Sequence, residues 1–158
     1  MKTVTCIDLE NNTYEVPVDS LRWRPSVYGI IIQDDKILLS PQWDWYDLPG
    51  WGIDLWETIE EALIREVNEE TGLDVKSNGL VHVDSNFFKH PNNRDDFMQS
   101  MLIYYRAEVV GWELSIDRFD DHEKVYAKLA EWIPLSELEN IKFSSSIDLI
   151  PIIRKSLS

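Results

Sequence analysis

Glu66, Glu69 and Glu70 stand three and four positions apart, so a helix would set their carboxyl groups side by side on one face. Each like-charged pair at that spacing destabilises a helix by roughly 0.2–0.5 kcal/mol, and crowding raises the pKa values. A divalent cation reverses the sign. Mg²⁺ takes hard oxygen ligands, keeps several waters and completes its shell from phosphate oxygens. The three acids are therefore a candidate platform for metal and phosphate together, against the simpler reading of a solvated face in a chain with 29 acidic residues. Arg65 lies four residues after Glu61 and four before Glu69, can pair with either, and is expected to be structural.

The helix that must carry these acids is the clearest element of the chain. Thr58 with Glu61 three residues on forms a capping box, Ile59, Ala62, Leu63 and Val67 recur at helical spacing, and Gly72 supplies a stop. Leu63 and Val67 anchor it in the core and so fix the direction of the acidic face. Before it runs an aromatic loop, Trp43 to Gly52, interrupted by Pro49 and glycines. Earlier still, Val4 to Val18 reads as a hairpin around Asn11-Asn12, Arg24-Pro25 breaks the pattern, and Val27 to Ile32 turns at Asp34-Asp35 into an antiparallel partner, Lys36 to Leu39. Leu80 to Phe88, Met98 to Val110 and Trp132-Ile133-Pro134 read as strands, and Ser136 to Asn140 and Ser146 to Ser156 as helices, with Pro151 in a first turn or at a kink. A mixed sheet with helices on its faces follows, in the α/β class.

The chain of 158 residues suits one compact unit and contains no apolar run able to span a bilayer. An acid at position 8 interrupts any secretory-type apolar stretch, so a cytoplasmic location is expected. Cys6 is the only cysteine and cannot form an intrachain disulfide. A net charge of −14 repels polymeric nucleic acid and anionic membranes, while leaving room for a small phosphate compound held through a metal.

From Glu57 the chain continues with seven residues and then Arg65-Glu66-Val67-Asn68-Glu69-Glu70-Thr71-Gly72-Leu73. This resembles the Nudix hydrolase box, which opens on a Gly six positions before the first Glu. Leu48-Pro49-Gly50 before it and Trp132-Ile133-Pro134 near the end strengthen the resemblance, which covers Ser26 to Leu157. It implies a Nudix-type α/β/α sandwich over residues 25–158, with residues 1–24 as an N-terminal β-hairpin extension. The implied activity is hydrolysis of a nucleoside diphosphate linked to another moiety: ADP-ribose, a nucleoside triphosphate or a nucleotide sugar.

The implied cofactor is Mg²⁺, with Mn²⁺ able to replace it. Glu66, Glu69 and Glu70 would be its ligands together with the Gly50 carbonyl, and Glu69 or Glu66 the general base. Glu57 would bind a second metal, hold Arg65 or stabilise the helix N-terminus. A further acid from a downstream loop would be Asp120, Asp121 or Glu123. Trp51 stands where the box opens on Gly, so either the loop is re-shaped or its backbone angle is ordinary. Trp43, Trp45, Trp51 and Trp56 are candidates to stack on a nucleobase, Tyr46 is expected to be structural, and Lys89, His90 and Arg94 are candidates to contact phosphates or ribose. His82, His122 and Cys6 show no ligand or nucleophile pattern. A catalytically inactive nucleotide-binding module of the same fold is the alternative, disfavoured by the intact acidic triad. The hairpin could pair with a second subunit to give a homodimer.

Overall fold

The computed structural model describes residues 1–42, 44–110 and 130–158. Strands β1 (Thr3–Ile7) and β2 (Thr13–Pro17) form the expected N-terminal hairpin. Asn11 sits at φ 64°, and the Asp8 carboxylate accepts the Glu10 and Asn12 N–H groups, each at 2.9 Å. β3 (Leu21–Gln33) then turns through Asp34 and Asp35, both at positive φ, into β4 (Lys36–Gln42). Two successive left-handed residues give the turn whose twist suits a hairpin, and Ile32 pairs with Ile37.

β3 is longer than the sequence suggested, because Arg24-Pro25 does not break it. The Pro25 carbonyl accepts the Ile53 N–H at 3.0 Å, and its missing donor faces the same side, where the short neighbouring strand has ended. That neighbour is β6 (Gly50–Gly52), reached through β5 (Trp45–Asp47). α1 (Ile59–Thr71) follows, then the long antiparallel pair β7 (Val75–Lys89) and β8 (Phe97–Val109), and β9 (Glu131–Pro134) against β4. The sheet runs β2-β1-β7-β8-β3-β4-β5, with β6 on β3 and β9 on β4. It is mixed: β3 lies parallel to β8 from Leu21–Phe97 to Ile31–Ala107, and β1 meets β7 in parallel at Ile7 and Phe88.

Two expected helices differ from their reading. Leu135–Asn140 is a 3-10 turn, and the last helix, α2, spans only Ile150–Ser156. Pro151 occupies its first turn, where a missing N–H has no helical partner.

Alternation along β3 divides the core. Val27 and Ile31 pack with Leu63 and Val67 of α1, while Tyr28 and Ile30 pack on the other face with Leu138, Ile152 and Ile153. Helices thus cover both faces of the sheet, the α/β/α arrangement. The helix comes close at Gly29, where a Cβ would sit 3.3 Å from Leu63 Cδ1. Among the described residues no helix is long and apolar enough to cross a membrane.

The aromatic loop answers the question raised by Trp51. Trp51 is absent from the residues at positive φ, whereas Gly50 has φ 143° and a Cβ on it would lie 2.1 Å from the Val27 carbonyl oxygen. The glycine requirement therefore rests on Gly50, and position 51 is ordinary strand. Gly50→Ala is expected to lower stability by at least about 2 kcal/mol, a fall of about 4 °C or more in thermal midpoint. Gly52→Ala meets only the Arg24 guanidinium, at 3.7 Å and beyond, and is expected to shift that midpoint little. Equal melting of the two variants would remove this account of the loop.

Candidate active site

α1 starts at Thr58, whose hydroxyl accepts the Glu61 N–H while Glu61 accepts the Thr58 N–H, and it stops at Gly72 in the left-handed conformation. With Leu63 and Val67 buried against Gly29, the flank of the helix beside them carries Arg65, Glu66, Glu69 and Glu70, and from it Arg65 reaches the Gly52 carbonyl and Glu70 the Gly50 N–H of the aromatic loop. Glu61, committed to the cap, is not a partner of Arg65.

Arg65 instead gathers the other acids. Its Nη2 lies 2.7 Å from Glu57 Oε2 and its Nε also bonds Glu57, while Nη1 reaches Glu66 at 2.6 Å and Glu69 at 3.3 Å. Nη2 further donates to the Gly52 carbonyl at 3.3 Å. The fork holds the Glu57 carboxyl below the usual carboxylate range. Glu57 also accepts the Asp54 N–H at 3.0 Å, so this acid ties the loop to the helix.

Glu66 and Glu70 lie in the opposite electrostatic situation. Glu66 is buried, and loss of solvent pushes its carboxyl up despite Arg65. The Glu70 carboxyl is pushed well up by burial and by the charges of Glu66 and Asp47, although Ser40 Oγ at 3.0 Å and the Gly50 N–H donate to it. Among the described residues no three His, Cys, Asp or Glu side chains converge into a ready-made metal cage. Glu66 and Glu69 face Arg65, whereas Glu70 faces Ser40.

Two cavities adjoin near the aromatic loop, and one of them reaches this helix. That one, of about 310 Å³, runs past Arg22, Arg24, Trp51, Asp54 and Glu66. The other, of about 60 Å³, lies among β3, β7 and β8 and is lined by Tyr28, Asp47, Ser100 and Tyr104 together with Phe88, Met98 and Leu102. Arg24, Trp51 and His90 border both. The Arg24 guanidinium lies 3.9 Å from the centre of the Trp51 ring, a cation–π contact, and burial holds its pKa below the ordinary value.

The other sequence candidates scatter. Trp45 sits on β5 with Lys142 Nζ 3.7 Å over its ring, and Tyr46 hydrogen-bonds Glu131 at 3.0 Å. Trp56 is solvent-exposed. Lys89 ends β7 with Nζ 5.3 Å over the Tyr14 ring, and Arg94 is exposed and borders neither cavity. Trp43, Asp120, Asp121, His122 and Glu123 fall outside the described residues. Sequence reasoning missed Arg24 and Asp47. Arg24 was hidden by a proline taken for a break, and Asp47 by its place before Leu48-Pro49-Gly50, where nothing local signals a buried acid.

Burial pushes the Asp47 carboxyl up to about 7, against a single N–H donated by Leu48 at 2.7 Å. The folded state then holds a proton that the unfolded chain gives up near pH 4. In protein stripped of divalent cations by chelation, stability is therefore expected to rise as pH falls from about 8 to about 5, by on the order of 2 kcal/mol. Thermal melts across that range check this, and Asp47→Asn should lessen the rise, the buried Glu66 and Glu70 carboxyls keeping their own share of it.

The model of the NUDIX domain matches residues 22–151. An ADP-ribose pyrophosphatase from Methanocaldococcus jannaschii is 37% identical over 123 residues, covering 75% of this chain and 66% of that protein. An RNA pyrophosphohydrolase from Stutzerimonas stutzeri is 44% identical over 61 residues, 36% of this chain and 38% of the other. The chain thus spans less than two thirds of the length of either relative. Among solved structures, a NUDIX hydrolase from Nitrosomonas europaea superposes with a TM-score of 0.65 at 21% identity, covering 86% of this chain and 89% of that one. An ADP-ribose pyrophosphatase from Streptococcus suis gives 0.61 at 22% identity, covering 85% and 92%. At such identities the likeness speaks for the fold. Because the matched region runs from β3 into α2 and takes in the whole acidic helix, this chain belongs to the NUDIX domain family.

Proposed function

We propose that this protein hydrolyses the pyrophosphate linkage of a nucleoside diphosphate joined to another moiety, with Mg²⁺, replaceable by Mn²⁺, as cofactor. The observation that carries the reading is the crowding of the Glu66 and Glu70 carboxyls on one helix flank, Glu66 on the wall of an open groove and Glu70 beside the Gly50 amide. Two carboxyls held above their ordinary pKa by burial and mutual repulsion are a hard-oxygen donor set short of positive charge, which is what a divalent cation fits. Glu66, Glu69, Glu70 and the Gly50 carbonyl would hold it.

When bound, the cation supplies charge neutralisation of phosphate oxygens and acidification of a coordinated water. The chain supplies positioning and proton transfer. Arg65 holds Glu66 and Glu69 in fixed directions through one nitrogen, and Glu57 holds Arg65. Glu69 is the better placed general base of the two: its side chain is 42% exposed against 10% for Glu66, and its contact with Arg65 is longer. Arg24 gives the groove a cation directed at phosphate in a chain of net charge −14.

The name of the M. jannaschii relative puts ADP-ribose first on the substrate panel, with nucleotide sugars and nucleoside triphosphates beside it. Cleavage of at least one of these into mononucleotide products, dependent on Mg²⁺, is expected of the purified protein. Glu69→Gln and Glu70→Gln should each lower turnover at least about 100-fold while the circular dichroism spectrum stays unchanged. Full activity in both variants would overturn the assignment.

A further inference from the structure

The buried run of β4, Ile37 to Pro41, contains a single polar side chain, Ser40. Successive residues of a strand face opposite sides of the sheet. Ile37 and Leu39 pack with Leu138, Ile152 and Ile153, while Leu38 packs with Ala62, Leu63 and Val67 of α1. Ser40 shares the side of Leu38 and is 7% exposed, so a hydroxyl is buried where the pattern calls for an aliphatic group. Burying a hydroxyl is unfavourable unless a partner meets it.

The partner comes from the helix. Leu63, Val67 and Glu70 stand four and three residues apart, so Glu70 continues the stripe with which α1 packs on the sheet. Leu38 meets the apolar part of that stripe. Ser40, two residues on, meets its acidic end, where Ser40 Oγ donates to Glu70 Oε2 at 3.0 Å. The Gly50 N–H donates to the same carboxyl. Both donors are held stiffly: Pro41 restricts the Ser40 backbone to extended geometry, with Asp47 of β5 paired opposite, and Gly50 is paired with Tyr28 of β3. A carboxyl bonded by donors on two different strands cannot turn without breaking one of the bonds, whereas a carboxyl with one donor swings about it.

We propose that Ser40 is a positioning residue for the hydrolysis, its hydroxyl fixing the direction of the Glu70 carboxyl so that Glu70 meets a divalent cation without first reorienting. The inference rests on the proposed hydrolase reading, in which Glu70 is a ligand; Ser40 acts through Glu70 and is not itself one. It does for Glu70 what Arg65 does for Glu66. Hydrogen-bond partners that orient ligating side chains are worth about 10- to 100-fold in metal affinity.

The test titrates Mn²⁺ alone into the wild type, Ser40→Ala, Ser40→Cys and Ser40→Thr, reading free Mn²⁺ from its electron paramagnetic resonance signal, with a thermal melt of each protein in chelator. Alanine leaves Glu70 one donor short, cysteine fills the volume but donates weakly, and threonine keeps the hydroxyl. Ser40→Ala and Ser40→Cys should weaken Mn²⁺ binding at least about 10-fold and raise the Mg²⁺ concentration for half-maximal turnover in step, while Ser40→Thr stays within about three-fold of wild type. A merely structural serine would move the melt in chelator and leave the affinity alone, and a packing role would leave Ser40→Cys like the wild type. If Ser40→Ala does not fold, the comparison of Ser40→Cys with Ser40→Thr decides by itself. Affinity within about three-fold of wild type in the variants lacking the hydroxyl, or a loss in Ser40→Thr equal to that in Ser40→Cys, overturns the positioning role. Wild-type Mn²⁺ binding and Mg²⁺-dependent cleavage then leave the hydrolase reading standing. A wild type that neither binds Mn²⁺ nor cuts any compound of the substrate panel overturns both.

Discussion

One guanidinium holds the acidic helix to the loop that faces it. Arg65 touches Glu57, Glu66, Glu69 and the Gly52 carbonyl, so it joins three acids of a helix and its approach to the end of β6. Without it these acids would repel one another across a partly buried face, which is where repulsion is strongest. Its planar fork matters as much as its charge, because Glu57 is engaged by two nitrogens at once and the remaining nitrogen turns toward Glu66 and Glu69. An ammonium would carry the charge without fixing those directions.

That arrangement depends in turn on two glycines of different purpose. Gly29 lets α1 approach β3, since any Cβ there meets Leu63 and Val67. Gly50 lets β6 lie against β3 with its amide beside the Glu70 carboxyl, since any Cβ there would collide with the Val27 carbonyl. β3 is thus the spine of the site. It pairs with β4, β6 and β8, and its two faces contact the helix on one side and the smaller cavity on the other.

The parts of this fold that are decided within a few residues could be read from the sequence. Thr58, Glu61 and Gly72 specify the ends of α1 because caps are local hydrogen bonds, and Asp34-Asp35 specifies its hairpin because a two-residue turn needs two left-handed residues. What stayed hidden depends on neighbours distant in the chain. Whether Pro25 interrupts a strand depends on where β6 ends, and which glycine the loop needs depends on Val27. By spacing alone three clustered carboxyls read more readily as a solvated face than as a metal face, and only packing shows that Glu66 is buried while Glu69 stays open. Lys89 and Arg94 had the right chemistry for phosphate, but β7 and its turn carry them away from both cavities.

The net charge of −14 raises the question of how such a chain could favour an anionic compound at all. Screening supplies the answer. At physiological salt, exposed charges further apart than about 8 Å scarcely interact, so a small ligand responds to the groups at the groove and not to the total. There cations and acids are matched: Arg24, braced on Trp51, and Arg22, paired with Asp96, line the same groove as Asp54 and Glu66. A polymer would extend beyond this patch and meet the surrounding acids, whereas a compound carrying two phosphates ends before reaching them. The local charges of the groove, and not the total, therefore set apart a short anion from a long one.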